Sequence, residues 1–390
     1  MALQTLHTLA TPAADGAHPT DHDPLAPWRH GVTVSPVSAV AAQHTIHAYY
    51  TACPESPDGS RVVFYASTTP EAYTGEIHVL DRGTGEETVL VRHVEVEDSH
   101  RAACQQWVSG GRRVAFHDVR DGRWVVATAD VDTGEVRVLA EDRQLAWGQP
   151  DADLVPLYGP HWDPSAHRDL DLLNVATGEV RTVLTAAVRE QYPELIHKEF
   201  GDRLISIFFP ALSPDLTRIF FKIATPLGGH FRSTQASHRA LLICYDLAQE
   251  CFLFADERWG HPAWHPDSRT ILDVPHVLID SDTGERRSLD LPQWPGAHPS
   301  FSPRGDLSVA DVALGRVAGP LHGDKGEWGI VVERLDADDH VLLHRFDHSR
   351  GARSWRISHP HPIFSAEGRR IYFCTSATEW TRLYVAEARN

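Results

Sequence analysis

The sequence predicts an all-β fold, a seven-bladed β-propeller whose ring is closed by an N-terminal strand. Three observations carry that expectation: a turn signature that recurs seven times, a glycine-turn signature that recurs four times, and a scarcity of helical periodicity.

The first signature is roughly aromatic-Ser-Pro-Asp-Gly followed by a short β-rich run. It occurs in "PESPDGSRVVFY", "WVSGGRRVAFH", "GQPDADLVPLY", "LSPDLTRIFFK", "WHPDSRTILDV", "FSPRGDLSVAD" and "FSAEGRRIYFC", the third being the weakest match. Its first turn positions are Ser56, Val108, Gln149, Ser213, His265, Ser302 and Ser365. Units therefore recur at roughly 40 to 60 residues, the length of a propeller blade. The second signature is "DRGTGEETVL", "DVDTGEVRVL", "NVATGEVRTV" and "DSDTGERRSL", each placing glycine in a tight turn between alternating runs. Four strands per unit follow. Helix is expected only near "LTAAVREQYPELIHKEF". The last unit ends at "TRLYVAEARN", one strand short, and "HGVTVSPVS" can supply the missing strand and close the ring. Residues 1–30 read as a partly disordered lead-in and 31–390 as a single propeller domain. Two stacked β-sandwiches are the alternative, which the evenly recurring turns disfavour.

Composition narrows the function classes. The chain has no apolar run of membrane-spanning length. Its N-terminus lacks the basic start, apolar core and cleavage site of a secretory signal. Five cysteines without CxxC spacing fit a reducing compartment, so a cytoplasmic protein is expected. A formal net charge of −17 disfavours nucleic acid and acidic membranes as partners, because phosphate binding needs a basic surface. An anionic small substrate remains compatible if basic groups gather locally. No GxSxG elbow and no phosphate-binding loop is present.

Aligned on the turn, the blades carry Ala52, Cys104, Leu145, Phe209, His261, His298 and His361 four residues before it. Three consecutive blades thus hold histidine there, each followed by proline, in "GHPAW", "AHPSF" and "SHPHPIF". The first strand of each propeller blade borders the central channel, so equivalent positions converge at one height. His359 lies two residues before His361, and strand alternation would put both rings on one face. Four imidazoles near the axis suit a divalent ion. Imidazole alone does not choose between manganese, zinc, iron and nickel. Nine residues past the turn start stand Tyr65, His117, Tyr158, Lys222, Val274, Asp311 and Cys374, expected near the hairpin partners of the first set. With His100, His161, Arg168, Arg232 and Arg239 nearby in sequence, they describe a basic pocket at one mouth of the ring.

The "SHPHPIFSAEG" stretch, with "GHPAW" and "AHPSF" before it, resembles the metal site of oligogalacturonate lyases, polysaccharide lyase family 22, which are seven-bladed propellers. The resemblance implies a divalent ion, manganese first and zinc or another ion as alternatives. Its ligands would be His298, His359 and His361, with His261 as base and Arg239 as its partner. The family has a glutamine ligand three residues before the HPH motif; here that position is Arg356, a side chain that cannot ligate a metal. Either another group completes the shell, with His261 the candidate, or the ion's role has changed. The chain is also similar to ulvan lyases and rhamnose-glucuronate lyases, which implies a second catalytic set of His100, His117, Tyr158 and Arg168. Arg232, His161, Lys222 and Arg356 are the remaining candidates for substrate binding. Both resemblances imply β-elimination from an anionic uronate oligosaccharide, in which a base removes the C5 proton while a cation offsets the carboxylate. No in-register carboxylate pair of the kind a glycoside hydrolase needs appears. A related propeller hydrolase, or a non-catalytic scaffold whose metal locks blades together, are the alternatives.

Overall fold

The computed structural model describes residues 23–389, apart from 186, 259, 275 and 292–297. Residues 1–22 of the expected lead-in lie outside the described residues. Within the rest of that stretch, Ala26–Arg29 forms a single helical turn. Leu25 and Trp28 are buried there, the indole edge-on to Phe364 at 5.8 Å.

Seven four-stranded antiparallel sheets form the ring of a seven-bladed β-propeller. The first strands of the blades are His44–Ile46, Gln106–Val108, Gln144–Leu145, Ser206–Leu212, Ala263–Trp264, Ser300–Phe301 and Ile363–Phe364. The seventh sheet takes its outer strand from the N-terminal segment. Thr33–Pro36 pairs antiparallel with Arg382–Glu387, Thr33 opposite Glu387 and Pro36 opposite Tyr384. Helices Val188–Gln191 and Pro193–Phe200 bridge blades 3 and 4, where the sequence loses its alternation. Among the described residues, no helix is long and apolar enough to cross a membrane.

Both turn signatures act through local hydrogen bonds. In blades 1, 4, 6 and 7 the turn serine accepts the amide five residues on, from Arg61 (2.9 Å), Arg218 (3.0 Å), Leu307 (3.2 Å) and Arg370 (3.2 Å). This polar side chain substitutes for a missing ladder partner and squares off the hairpin. In the second signature Asp81, Asp130, Asn174 and Asp280 each accept the amide of the threonine three residues on. The glycine that follows adopts φ between the 71° of Gly134 and the 82° of Gly178, a conformation that costs other residues energy. Neighbouring blades are tied through indoles: Trp107 donates to the Pro54 carbonyl (2.7 Å) and Trp264 to that of Ala211 (3.0 Å). Buried Glu55 of blade 1 accepts twice from Arg370 of blade 7, at 2.6 and 2.9 Å, across the closure.

Candidate functional site

The channel is divided in two by blade 1. After the strand His44–Ile46 the chain makes a tight excursion, with Tyr49 bridged to Ala52, that pushes two phenols into the axis. Tyr49 stacks on Trp147 at 5.2 Å and lies 4.5 Å from His361, while the Tyr50 hydroxyl donates to the Pro262 carbonyl (3.1 Å). Tyr49 faces a cavity of about 510 Å³ at one mouth, and Tyr50 faces one of about 280 Å³ at the other. Sequence reasoning did not single out this pair. The signal was the distance between the first strand of blade 1 and its turn, which leaves room for an excursion that no other blade has among the described residues.

Above Tyr49, His100, His298, His359 and His361 bring one ligand atom each within 4.8 Å of one another. Two of the rings have their tautomer set by neighbours. His298 donates from Nδ1 to Asp311 at 2.9 Å, and His100 from Nδ1 to the Ile357 carbonyl at 2.9 Å. In each case a carboxylate or carbonyl can only accept, so Nδ1 carries the proton and Nε2 keeps its lone pair. His298 Nε2, His359 Nδ1 and both nitrogens of His361 are buried without a hydrogen-bond partner. Buried polar atoms are normally paired, so such a group of orphan nitrogens fits a divalent ion better than it fits an apolar channel. Burial pushes all four imidazoles down, His359 to about 3 and the others well below their ordinary value, which keeps the lone pairs free at neutral pH.

The backbone departs from the strand alternation expected of "HPH". The inner strand of blade 7 begins only at Ile363, and His361 takes a left-handed conformation, φ 49°. Cys104 and Phe209, at the same register, do likewise at 50° and 57°. The rings of His359 and His361 come together, with centroids 5.9 Å apart, through this kink and not through a pleat. Non-glycine residues held at positive φ cost energy and collect at functional sites. The hairpin partners also sit one residue from the expected register: His117 donates its amide to Ala103, Cys374 to Pro360, and Lys222 pairs with Phe208.

His261 is not part of the four-imidazole group. Its ring lies 4.5 Å from that of His298, on the cavity wall beside Lys222, and His100 takes the fourth place. The larger cavity is lined by His261, Arg239, Lys222, Arg356, Arg101 and His359, among others. Arg239 rests over the Phe208 ring at 5.4 Å, and burial with the nearby Arg356 lowers it to about 10. Burial likewise brings Lys222 to about 7; its ammonium donates to the Gly260 carbonyl, next to His261. Arg356 lies over Trp355 at 4.6 Å, with Asp98 at 3.8 Å. Cationic and imidazole side chains thus crowd one space in an acidic protein.

The second expected set is dispersed. His100 belongs to the imidazole group, whereas His117 is buried edge-on against Trp124. The Tyr158 hydroxyl accepts from Arg101 (2.7 Å), behind the cavity wall, and burial raises its pKa against the pull of that guanidinium. Arg168 donates to the Ile205 carbonyl and lines a different surface cavity with Arg189 and Glu190. His161 is buried between Ser237 (2.7 Å) and Glu97 (3.3 Å). Arg232 reaches from the blade 4 loop to Glu95 (2.9 Å) and stacks on Tyr73. Arg101, which sequence reasoning missed, pairs with Glu97 at 2.7 Å and faces the cavity. It ends the "EDSHR" stretch, directly after His100.

No family model and no curated protein matches the chain. Among solved structures it is similar to an oligogalacturonate lyase in complex with manganese, at TM-score 0.63 and 16% identity over 92% of this chain and 93% of that one. It is also similar to an oligogalacturonate lyase from Vibrio parahaemolyticus, at TM-score 0.60 and 15% identity over 92% and 94%. A chain of the mitotic checkpoint complex matches at 0.52 and 11% identity. At these identities the likeness is one of fold: the chain has the seven-bladed ring of the oligogalacturonate lyases.

Proposed function

We propose that the protein is a carbon–oxygen lyase of the oligogalacturonate lyase family, cleaving short uronate-containing oligosaccharides by β-elimination. The observation that carries this reading is one cavity in which His261, Arg239, Arg356 and Lys222 face the edge of the four-imidazole group. The substrate is anionic, and these cations supply the local positive surface that the net charge of −17 lacks elsewhere.

His261 is the base. Burial keeps its imidazole neutral, as removal of the weakly acidic C5 proton requires. As that proton leaves, the electron pair forms the C4–C5 double bond and the C4–O4 bond breaks, so nothing is added to the sugar. Arg239 and Arg356 hold the uronate carboxylate and offset the charge that develops on it. Lys222, at about 7, is the protic group beside His261 that can hand a proton to the departing oxygen. A divalent ion held by His298, His359 and His361 would add positive charge at the same carboxylate. The expected setting is the cytoplasm, with imported fragments as substrate.

Incubation with oligogalacturonides and with rhamnose-glucuronate oligomers tests this through the ultraviolet absorbance of the unsaturated product. Absorbance growth with either panel supports the lyase and names the sugar. If no substrate responds while chelation lowers thermal stability, the metal-locked scaffold is the better description.

A further inference from the structure

The four-imidazole group differs from what the resemblance implies in one donor. The position three residues before "HPH", where the family carries glutamine, is Arg356, whose guanidinium turns to Trp355 and Asp98. The fourth imidazole of the group comes from another blade: His100, on the connection into blade 2.

That placement is built into the backbone. Asp98 accepts the amides of His100 (2.9 Å) and Arg101 (3.0 Å), fixing the turn that presents the ring. The same turn is stitched to the segment that would have carried the glutamine. The Ser99 amide and hydroxyl meet the Ser354 hydroxyl at 3.1 and 2.8 Å, and Ser99 Oγ also donates to the Arg356 carbonyl at 3.2 Å. Trp355 donates to the Glu97 carbonyl at 3.2 Å, and His100 Nδ1 donates to that of Ile357 at 2.9 Å. These bonds leave Nε2 of His100 as the nitrogen available to an ion.

Resting on the lyase reading for the site's purpose but not for its chemistry, we propose that His100 is a metal ligand. Its imidazole, in place of an amide oxygen, turns the site from a manganese site into one selective for iron, cobalt, nickel or zinc. The donor set is then four neutral nitrogens with no oxygen among them. Imidazole suits the later first-row ions, whereas oxygen donors suit manganese. Asp311, the anion behind His298, acts through the ring and not as a donor.

The test needs no substrate. Metal-free protein is equilibrated with an equimolar mixture of manganese, cobalt, nickel and zinc salts, its bound metal is measured by mass spectrometry, and each ion is then titrated alone by calorimetry. Every nitrogen site favours later ions to some degree, so the deciding quantity is how the preference changes in His100→Gln. The wild type should bind late ions with manganese nearly absent, and the variant should lose about ten- to a hundred-fold in late-ion affinity while manganese changes less. Wild-type protein that fills with manganese, or a variant with an unaltered preference, overturns the proposal. The cobalt absorption spectrum of the wild type is a second measurement independent of the variant's folding. Cobalt bands matching those of mixed nitrogen–oxygen coordination count against it. A failed lyase assay leaves these outcomes untouched, and an active manganese enzyme would defeat the inference alone.

Discussion

The two mouths of the channel are built from the same inner strands and end in opposite chemistry. At the mouth below Tyr50, turn serines are satisfied within their own turn: Ser56 donates to Asp58 (2.6 Å), Ser213 to Asp215 (2.7 Å) and Ser302 to Asp306 (2.8 Å). At the mouth above Tyr49, buried nitrogens of His298, His359 and His361 have no partner, and Arg239, Arg356 and Lys222 crowd one cavity. The turns of the repeat maintain the ring at the first mouth, whereas the residue types that a few blades place at or beside one register position supply reactive groups at the second. A ring whose stability is secured by many equivalent turns can carry the cost of unsatisfied groups in a few blades.

Substitutions at the upper mouth should separate activity from stability most sharply. Alanine at His261 or Arg239 is expected to lower product formation by about 10²- to 10⁴-fold with little change in thermal unfolding. Full activity in both variants removes the assignment. Arg168→Ala, in its separate cavity, should leave the rate as it was.

Acidification should unfold the protein by protonating its buried imidazoles. His359 and His117 are held near 3 by burial, against an ordinary value of 6.5. Between those values the unfolded chain binds more protons than the native one, so stability present above about 6.5 is lost as pH falls toward 3. Lys222 acts in the alkaline range. Its pKa is about 7 when folded against 10.5 when unfolded, so it contributes a rise in stability with pH across that window, fully gained by 10.5. Denaturant titrations of wild type and Lys222→Met across both ranges check this: the alkaline rise should flatten in the variant while the acid loss stays.

Loading the imidazole group with a divalent ion should stabilise the fold by about 2.7 kcal/mol at a hundredfold excess over Kd, and the effect should disappear in His361→Ala. An equal metal-dependent shift in that variant would place the ion elsewhere. The smallest effect belongs to the lower mouth. Ser213→Ala removes the bond accepted from the Arg218 amide and should cost about 1 kcal/mol in denaturant unfolding, with turnover unchanged.

Much of the architecture was legible because it depends on local chemistry. The serine of "LSPD" and the first aspartate of "DVDTGE" make bonds within five residues, so their recurrence marks blades and strands along the chain. The closing strand could be read from a deficit, a last unit one strand short. His298, His359 and His361 were legible for the same reason, being repeats of one register position and its neighbour. His100 and Arg101 were not, because their place comes from hydrogen bonds between residues 97–101 and 354–357, which no periodicity announces. Nor were Tyr49 and Tyr50, because among the described residues their excursion belongs to blade 1 and is no part of the repeat.

By itself, then, the sequence determined the number of blades, the manner of closure and the histidines that face the axis, since each follows from short-range bonds repeated at a fixed interval. Only the tertiary structure decided that His100 and not His261 joins the imidazole group, that Arg168 stands apart, and that two phenols split the channel. Those outcomes depend on which connecting segments meet across the ring, and distances between segments hundreds of residues apart are set by packing, not by spacing along the chain.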